Sequence, residues 1–183
     1  MTVPTKRATD DKNAARFLAP ETHQRAADTP LRDPRRERED AVLARAARIL
    51  ETRAKHRGED LLDSPAAARR LLQLRLAHVP REEFHCLWLD SQHRLLIAET
   101  LFRGTLSQTS VYPREVIRAA LTHNAAAVIL AHNHPSGTCE PSPADELLTT
   151  SLSAALGVID VPVLDHVIVT LDRTYSFAEH GKL

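Results

Sequence analysis

The sequence predicts an α/β (α+β) fold, a mixed β-sheet flanked by helices and preceded by a disordered, charged lead. Three observations predict it. Apolar residues recur at three- and four-residue spacing on either side of Gly58, and the periods shorten to those of strands after Pro80. Helix-like and strand-like segments then alternate to the C-terminus. The run Ala125 to Ala131 is continuously apolar, as a strand covered on both faces must be. A chain of 183 residues suits one domain with an appendage and can bury one core.

Residues 1–39 are rich in Ala, Arg, Asp, Thr and Pro and poor in large apolar side chains, so little burial offsets the entropy of ordering them. They are expected to be disordered. From Asp40, the residues Val42, Leu43, Ala46, Ile49 and Leu50 predict an amphipathic helix ending near Gly58. Ser64 and Pro65 fit the N-cap and first turn of a second helix, which places Ala68, Leu71, Leu72 and Leu76 on one face and stops before Pro80. Residues 40–80 thus form a two-helix extension, and 81–183 form the mixed-sheet domain.

In that domain, Phe84 to Asp90 and Arg94 to Phe102 read as a hairpin turned by Ser91-Gln92-His93. Thr105 to Tyr112 is a candidate third strand. Pro113 opens a helix to about Asn124 with Val116, Ile117, Ala120 and Leu121 as its buried stripe. After the apolar strand, Ser142-Pro143-Ala144-Asp145 has the signature of a capped helix start, and Leu147, Leu148, Leu152 and Leu156 carry that helix to Gly157. Val161 to Thr170 returns as a strand, and Tyr175-Ser176-Phe177 forms a last short one.

Composition excludes several function classes. The formal net charge is zero, although residues 1–58 hold 14 Lys/Arg against 9 Asp/Glu and residues 59–183 hold 10 against 15. The basic lead permits a nucleic-acid contact, but its nine acids weaken that reading. Cys86 and Cys139 cannot build a disulfide framework. No run approaches the roughly 18 apolar residues of a membrane span, and no apolar export segment follows Met1. A soluble cytoplasmic protein with no membrane partner is expected, and sheet edges offer a route to a homodimer.

The chemistry concentrates at Ala131-His132-Asn133-His134-Pro135-Ser136-Gly137. Two histidines at i and i+2 on an extended segment project to one side and can share a cation. Hydrolytic zinc takes three protein ligands, usually His and carboxylate, and keeps a position for water. Asp145 is the candidate third ligand, reached across the 10-residue loop from Pro135 to Ala144. The blander reading makes the histidines a surface pair and Asp145 the partner of Ser142 in a capping box. Cys139 stands beside the site without a Cys-x-x-Cys partner and reads as a bystander. His166, on an apolar strand after Leu164-Asp165, reads as a core histidine or a support for a ligand.

The spacing His132-x-His134, seven residues, Ser142, two residues, Asp145 resembles the signature of the JAMM (MPN+) zinc metallopeptidases. The wider text, with Glu99-Thr100-Leu101-Phe102-Arg103-Gly104-Thr105, Val111-Tyr112-Pro113-Arg114-Glu115 and Leu164-Asp165-His166, resembles the RadC-like branch over roughly residues 60–183. The resemblance implies an MPN/JAMM-type, cytidine-deaminase-like domain. It implies one zinc per chain on His132, His134 and Asp145, and hydrolysis of peptide or isopeptide bonds in a peptide or protein substrate. It further implies a glutamate near the first strand as general base, best matched by Glu82, with Glu83 and Glu99 as alternatives. Ser142 would donate to the oxyanion of the tetrahedral intermediate, a role that competes with helix capping because the hydroxyl has one proton. Longer RadC-like proteins carry a glycine-dependent helix-hairpin-helix module, whereas residues 1–80 hold only Gly58. The alternative function is a non-catalytic or DNA-associated accessory protein.

Overall fold

The computed structural model describes residues 33–56, 64–104 and 111–183. Among the described residues, nine elements follow in chain order: α1 (Pro34–His56), α2 (Pro65–Leu76), β1 (Glu83–Leu89), β2 (Leu95–Arg103), α3 (Pro113–Thr122), β3 (Ala127–Asn133), α4 (Pro143–Gly157), β4 (Val163–Val169) and β5 (Thr174–Ser176). The strands form one mixed sheet in the order β2-β1-β3-β4-β5, in which only the β3–β4 pair is parallel. That pair is joined by α4 as a βαβ crossover, which brings the chain back across one face of the sheet.

Side-chain alternation divides the core into two layers. On one face, Leu87 and Leu89 of β1, Ala127, Ile129 and Ala131 of β3, and Val167 and Val169 of β4 pack against Leu71, Leu72 and Leu76 of α2. On the other, Phe84, Cys86 and Trp88 join Val128 and Leu130 against α3 and α4 through Val116, Ala120, Leu152 and Leu156. β3 lies at the centre and is buried along its whole length, which is why its sequence carries no polar alternation before His132.

Local signals behave as the residue types demand. Ser64 accepts a hydrogen bond from the Ala67 amide and caps α2. Asp90 Oδ1 accepts from the Gln92 and Arg94 amides, closing the β1–β2 turn while His93 takes a φ of 59°. Several expectations are corrected. α1 begins at Pro34, so residues 34–39 are helical where a disordered lead was expected; Asp33 accepts from the Arg35 amide and supplies the start signal. The inward side of α1 is Leu43, Ala47 and Leu50, while Val42 and Ile49 are exposed. Leu121 and Leu147 also face outward. α4 does end at Gly157, as expected, with Val158 as its cap in the right-handed helical region, and the left-handed residue of the turn that follows is Asp160 (φ 56°). Residues 1–32, Gly58 and most of the expected strand Thr105 to Tyr112 lie outside the described residues; Val111 and Tyr112 lead irregularly into α3.

Candidate metal centre

The site stands at the C-terminal end of β3. His132 continues the face of Val128 and Leu130, and the parallel ladder to β4 extends past the strand through a bond from the His134 amide to the Val169 carbonyl (2.9 Å). His134 therefore stays in extended register and its imidazole falls on the same side as His132, the ring centroids 4.7 Å apart. The chain then reverses at once. The Gly137 amide bonds the His134 carbonyl (3.0 Å), and Gly137 adopts a φ of 84° that favours glycine.

Pro141-Ser142-Pro143 returns the chain to the site and starts α4. The Ser142 hydroxyl donates to Asp145 Oδ2 (2.6 Å) and accepts from the Asp145 amide (3.2 Å), and the Ser142 amide also donates to Oδ2 (2.7 Å). The capping box is thus complete, and it uses one oxygen of the carboxylate. Oδ1 stands 3.2 Å from His132 Nε2, and Oδ2 stands 3.6 Å from His134 Nε2. Capping and metal ligation are therefore compatible for Asp145. Burial by itself raises the Asp145 carboxyl, but the bond and charge of His132, with the bonds from Ser142, outweigh it and hold the group well below the usual carboxylate range.

Glu82 approaches from the segment before β1. One of its oxygens and a ring nitrogen from each of His132 and His134 all lie within 4.8 Å of one another. Strand parity distinguishes it from the other two glutamates. Phe84 pairs across the sheet with His132 and their rings stack 6.4 Å apart, so Glu82, two residues earlier, shares that side. Glu83 points the opposite way, to Arg103 and His85. Glu99 is taken up by the Trp88 indole (2.6 Å) and His123 (2.9 Å) farther along the sheet.

The donor set suits zinc. Two imidazole nitrogens and a carboxylate oxygen are hydrolytic-zinc ligands, and tetrahedral ligands at about 2.0 Å from a metal lie roughly 3.3 Å from each other. The His132 Nε2 to His134 Nε2 distance is 2.9 Å, and with the two carboxylate contacts at 3.2 and 3.6 Å the spacings bracket that figure. Around the group opens a cleft of about 780 Å³ with apolar walls from Phe84, Val111, Pro135, Pro141 and Leu148. Cys139 is turned away, its thiol against the Ile168 carbonyl and its pKa raised chiefly by burial.

Two residues support the site: Asn133, which the sequence suggests only as a residue shaping the loop, and Thr149, to which it assigns nothing. Asn133, between the histidines, points to the reverse face, where Nδ2 donates to the Val79 (3.0 Å) and Arg81 (2.9 Å) carbonyls and Oδ1 accepts from the Glu83 amide (2.8 Å). It thereby pins the backbone on both sides of Glu82. Thr149 of α4 is buried against His166. For Asn133 the signal was its phase: the residue between two inward histidines on a central strand must be buried on the other side.

The RadC-like JAB domain family matches residues 62–182. The chain is 57% identical over 143 residues to a UPF0758 protein of Variovorax paradoxus, covering 78% of this chain and 63% of that one. It is 62% identical over 125 residues to one of Aromatoleum aromaticum, covering 68% and 56%. With one of Methylibium petroleiphilum the identity is 57% over 143 residues, covering 78% and 64%. The chain thus spans less than two thirds of the length of these relatives. Among the described residues, no helix is long and apolar enough to cross a membrane. With the matched segment running from before α2 to the C-terminus and containing every residue of the site, the chain belongs to the RadC-like JAB domain family.

Proposed function

We propose that this protein is a zinc-dependent hydrolase of peptide or isopeptide bonds. The observation that carries the reading is the meeting of Glu82, His132 and His134 within 4.8 Å, with Asp145 against both histidines. Membership of the family supports it. His132, His134 and Asp145 would hold one zinc ion. Zinc supplies Lewis acidity toward a carbonyl oxygen and a water that ionises near about pH 7. Glu82 takes the proton of the attacking water as its oxygen bonds the carbonyl carbon, then returns it to the departing amine as the C–N bond breaks. The Ser142 hydroxyl donates to the developing oxyanion by swinging its proton away from Asp145 Oδ2, while the backbone bond from Ser142 keeps that oxygen satisfied. The apolar walls of the cleft would take the side chains beside the scissile bond.

Metal analysis and hydrolysis of a panel of fluorogenic peptides and isopeptide-linked conjugates test the proposal. One zinc per chain is expected, lost in His134→Ala. Glu82→Gln is expected to keep zinc and lose about 10²-fold or more in turnover, the scale of general-base catalysis. Protein purified without zinc, and unchanged by His134→Ala, would overturn the reading. The DNA-associated alternative has no comparable support, since charges on α1 are mixed and Arg35 lies 3.6 Å from Glu39.

A further inference from the structure

A histidine binds a metal through one nitrogen only when the proton sits on the other, so each ligand needs something that fixes its tautomer. For His134 the device is simple. Its Nδ1 lies 2.8 Å from the Thr138 carbonyl, which can only accept, so Nδ1 carries the proton and Nε2 a lone pair.

His132 has no such terminal acceptor. Its Nδ1 lies 2.9 Å from Nε2 of His166, and either ring could donate. The ambiguity is resolved two steps farther on. His166 Nδ1 lies 2.6 Å from Thr149 Oγ1, and Thr149 Oγ1 lies 2.6 Å from the main-chain carbonyl of Asp145, one helical turn earlier. A carbonyl cannot donate, so the single hydroxyl proton of Thr149 goes to it. Oγ1 must then accept from His166 Nδ1–H, which leaves a lone pair on His166 Nε2. That lone pair takes a proton from His132 Nδ1, which makes Nε2 the nitrogen that faces His134 and Asp145. Reversal would set the oxygen lone pairs of Thr149 and the carbonyl against each other at 2.6 Å in a buried place and put a proton on His132 Nε2. The rings are not free to turn. His166 is fully buried, stacked on Phe177 at 4.9 Å and edge-on to Phe84 at 5.8 Å.

We infer that Thr149 and His166 are positioning residues that set the tautomer of His132, anchored on the main-chain carbonyl of Asp145. Asp145 then serves the site twice, by its carboxylate as a ligand and by its carbonyl as the end of the series that prepares another ligand. The inference rests on the metal reading proposed above.

Nitrogen NMR of the metal-free, full-length chain at neutral pH reads the tautomers directly, with zinc affinity measured by competition against a chromophoric chelator. His166 is expected with its proton on Nδ1 and its lone pair on Nε2, toward a protonated His132 Nδ1. Thr149→Val, which keeps the shape and removes the hydroxyl, is expected to release His166 into a tautomer mixture and to weaken zinc binding by about 10- to 100-fold, with Thr149→Ser restoring both. Wild-type His166 protonated mainly on Nε2, or Thr149→Val within about twofold of wild-type affinity, would overturn the inference. Absence of zinc binding in the wild type would instead overturn the proposed function, because the tautomers are read without metal.

Discussion

His85 occupies the face of β1 turned away from the histidine pair, 4% exposed, with Nε2 shared between Glu83 (3.2 Å) and Thr100 (2.9 Å). Its Nδ1 is buried without a hydrogen-bond partner. Burial lowers its pKa from 6.5 to about 4, against the raising influence of Glu83. The unfolded chain therefore takes up a proton near 6.5 that the folded chain refuses until about 4. Stability is full above the upper value and falls as pH drops toward the lower, by at most about 1.4 kcal/mol per pH unit for one proton. Urea unfolding across that window is expected to show this slope, reduced in His85→Phe; an unchanged slope in the variant would remove His85 as its source. His166, lowered by burial and by His132, adds a loss of the same sign. At this scale the sequence was partly legible. The meeting of the histidines with Asp145 could be read because they cluster in the chain, at the end of one strand and the start of the next helix. The choice among Glu82, Glu83 and Glu99 could not, because it depends on which way β1 faces, and that is fixed only when Phe84 packs over His132.

Asn133 makes β3 more than a carrier of ligands. Its three bonds tie the segment 79–83 to the strand, so Glu82 and the two histidines are registered on one another through a single amide side chain. Asn133→Ala would remove the partner of three backbone groups in a half-buried place and is expected to cost about 2 kcal/mol, as judged from unfolding midpoints. Turnover is expected to fall more than zinc affinity does, since neither histidine depends on those bonds; an equal fall in both would contradict this division. Elements with strong periods or caps were legible in the sequence: α2 by Ser64, Pro65 and its leucines, and α4 by its capping box. The inward side of α1 was not. Arginines and alanines leave its stripe too faint to fix the rotation, and the packed neighbours decide that Ala47, not Ile49, is buried.

Over the whole molecule, the sheet separates a structural face from a chemical one. Leucines of α2 seal the first, and the second holds Phe84, Trp88 and the helices that frame the cleft. Because the proposed ion would bind the native site and not the unfolded chain, it should raise the stability of the folded state. At a free concentration of 100 times its dissociation constant a ligand adds about 2.7 kcal/mol, which for a domain of this size raises Tm by roughly 5–10 °C. Chelation is expected to reverse that shift, and His134→Ala to abolish it. A melting curve indifferent to zinc in the wild type would count against a site of useful affinity.

The βαβ crossover from β3 through α4 to β4 has a kinetic corollary. His132, His134, Asp145, Thr149 and His166 all lie on this one contiguous unit, whereas Glu82 arrives through antiparallel pairing from a separate strand. The contacts that gather the ligands span short stretches of chain, and the contact that delivers the carboxylate spans a long one, with its greater loop-closure entropy. During refolding, the capacity to capture a cation can therefore precede the capacity to do chemistry with it. A stopped-flow experiment that follows chelator-detected zinc capture and recovery of hydrolysis in parallel would see the two as separate phases, the first insensitive to Asn133→Ala and the second slowed by it.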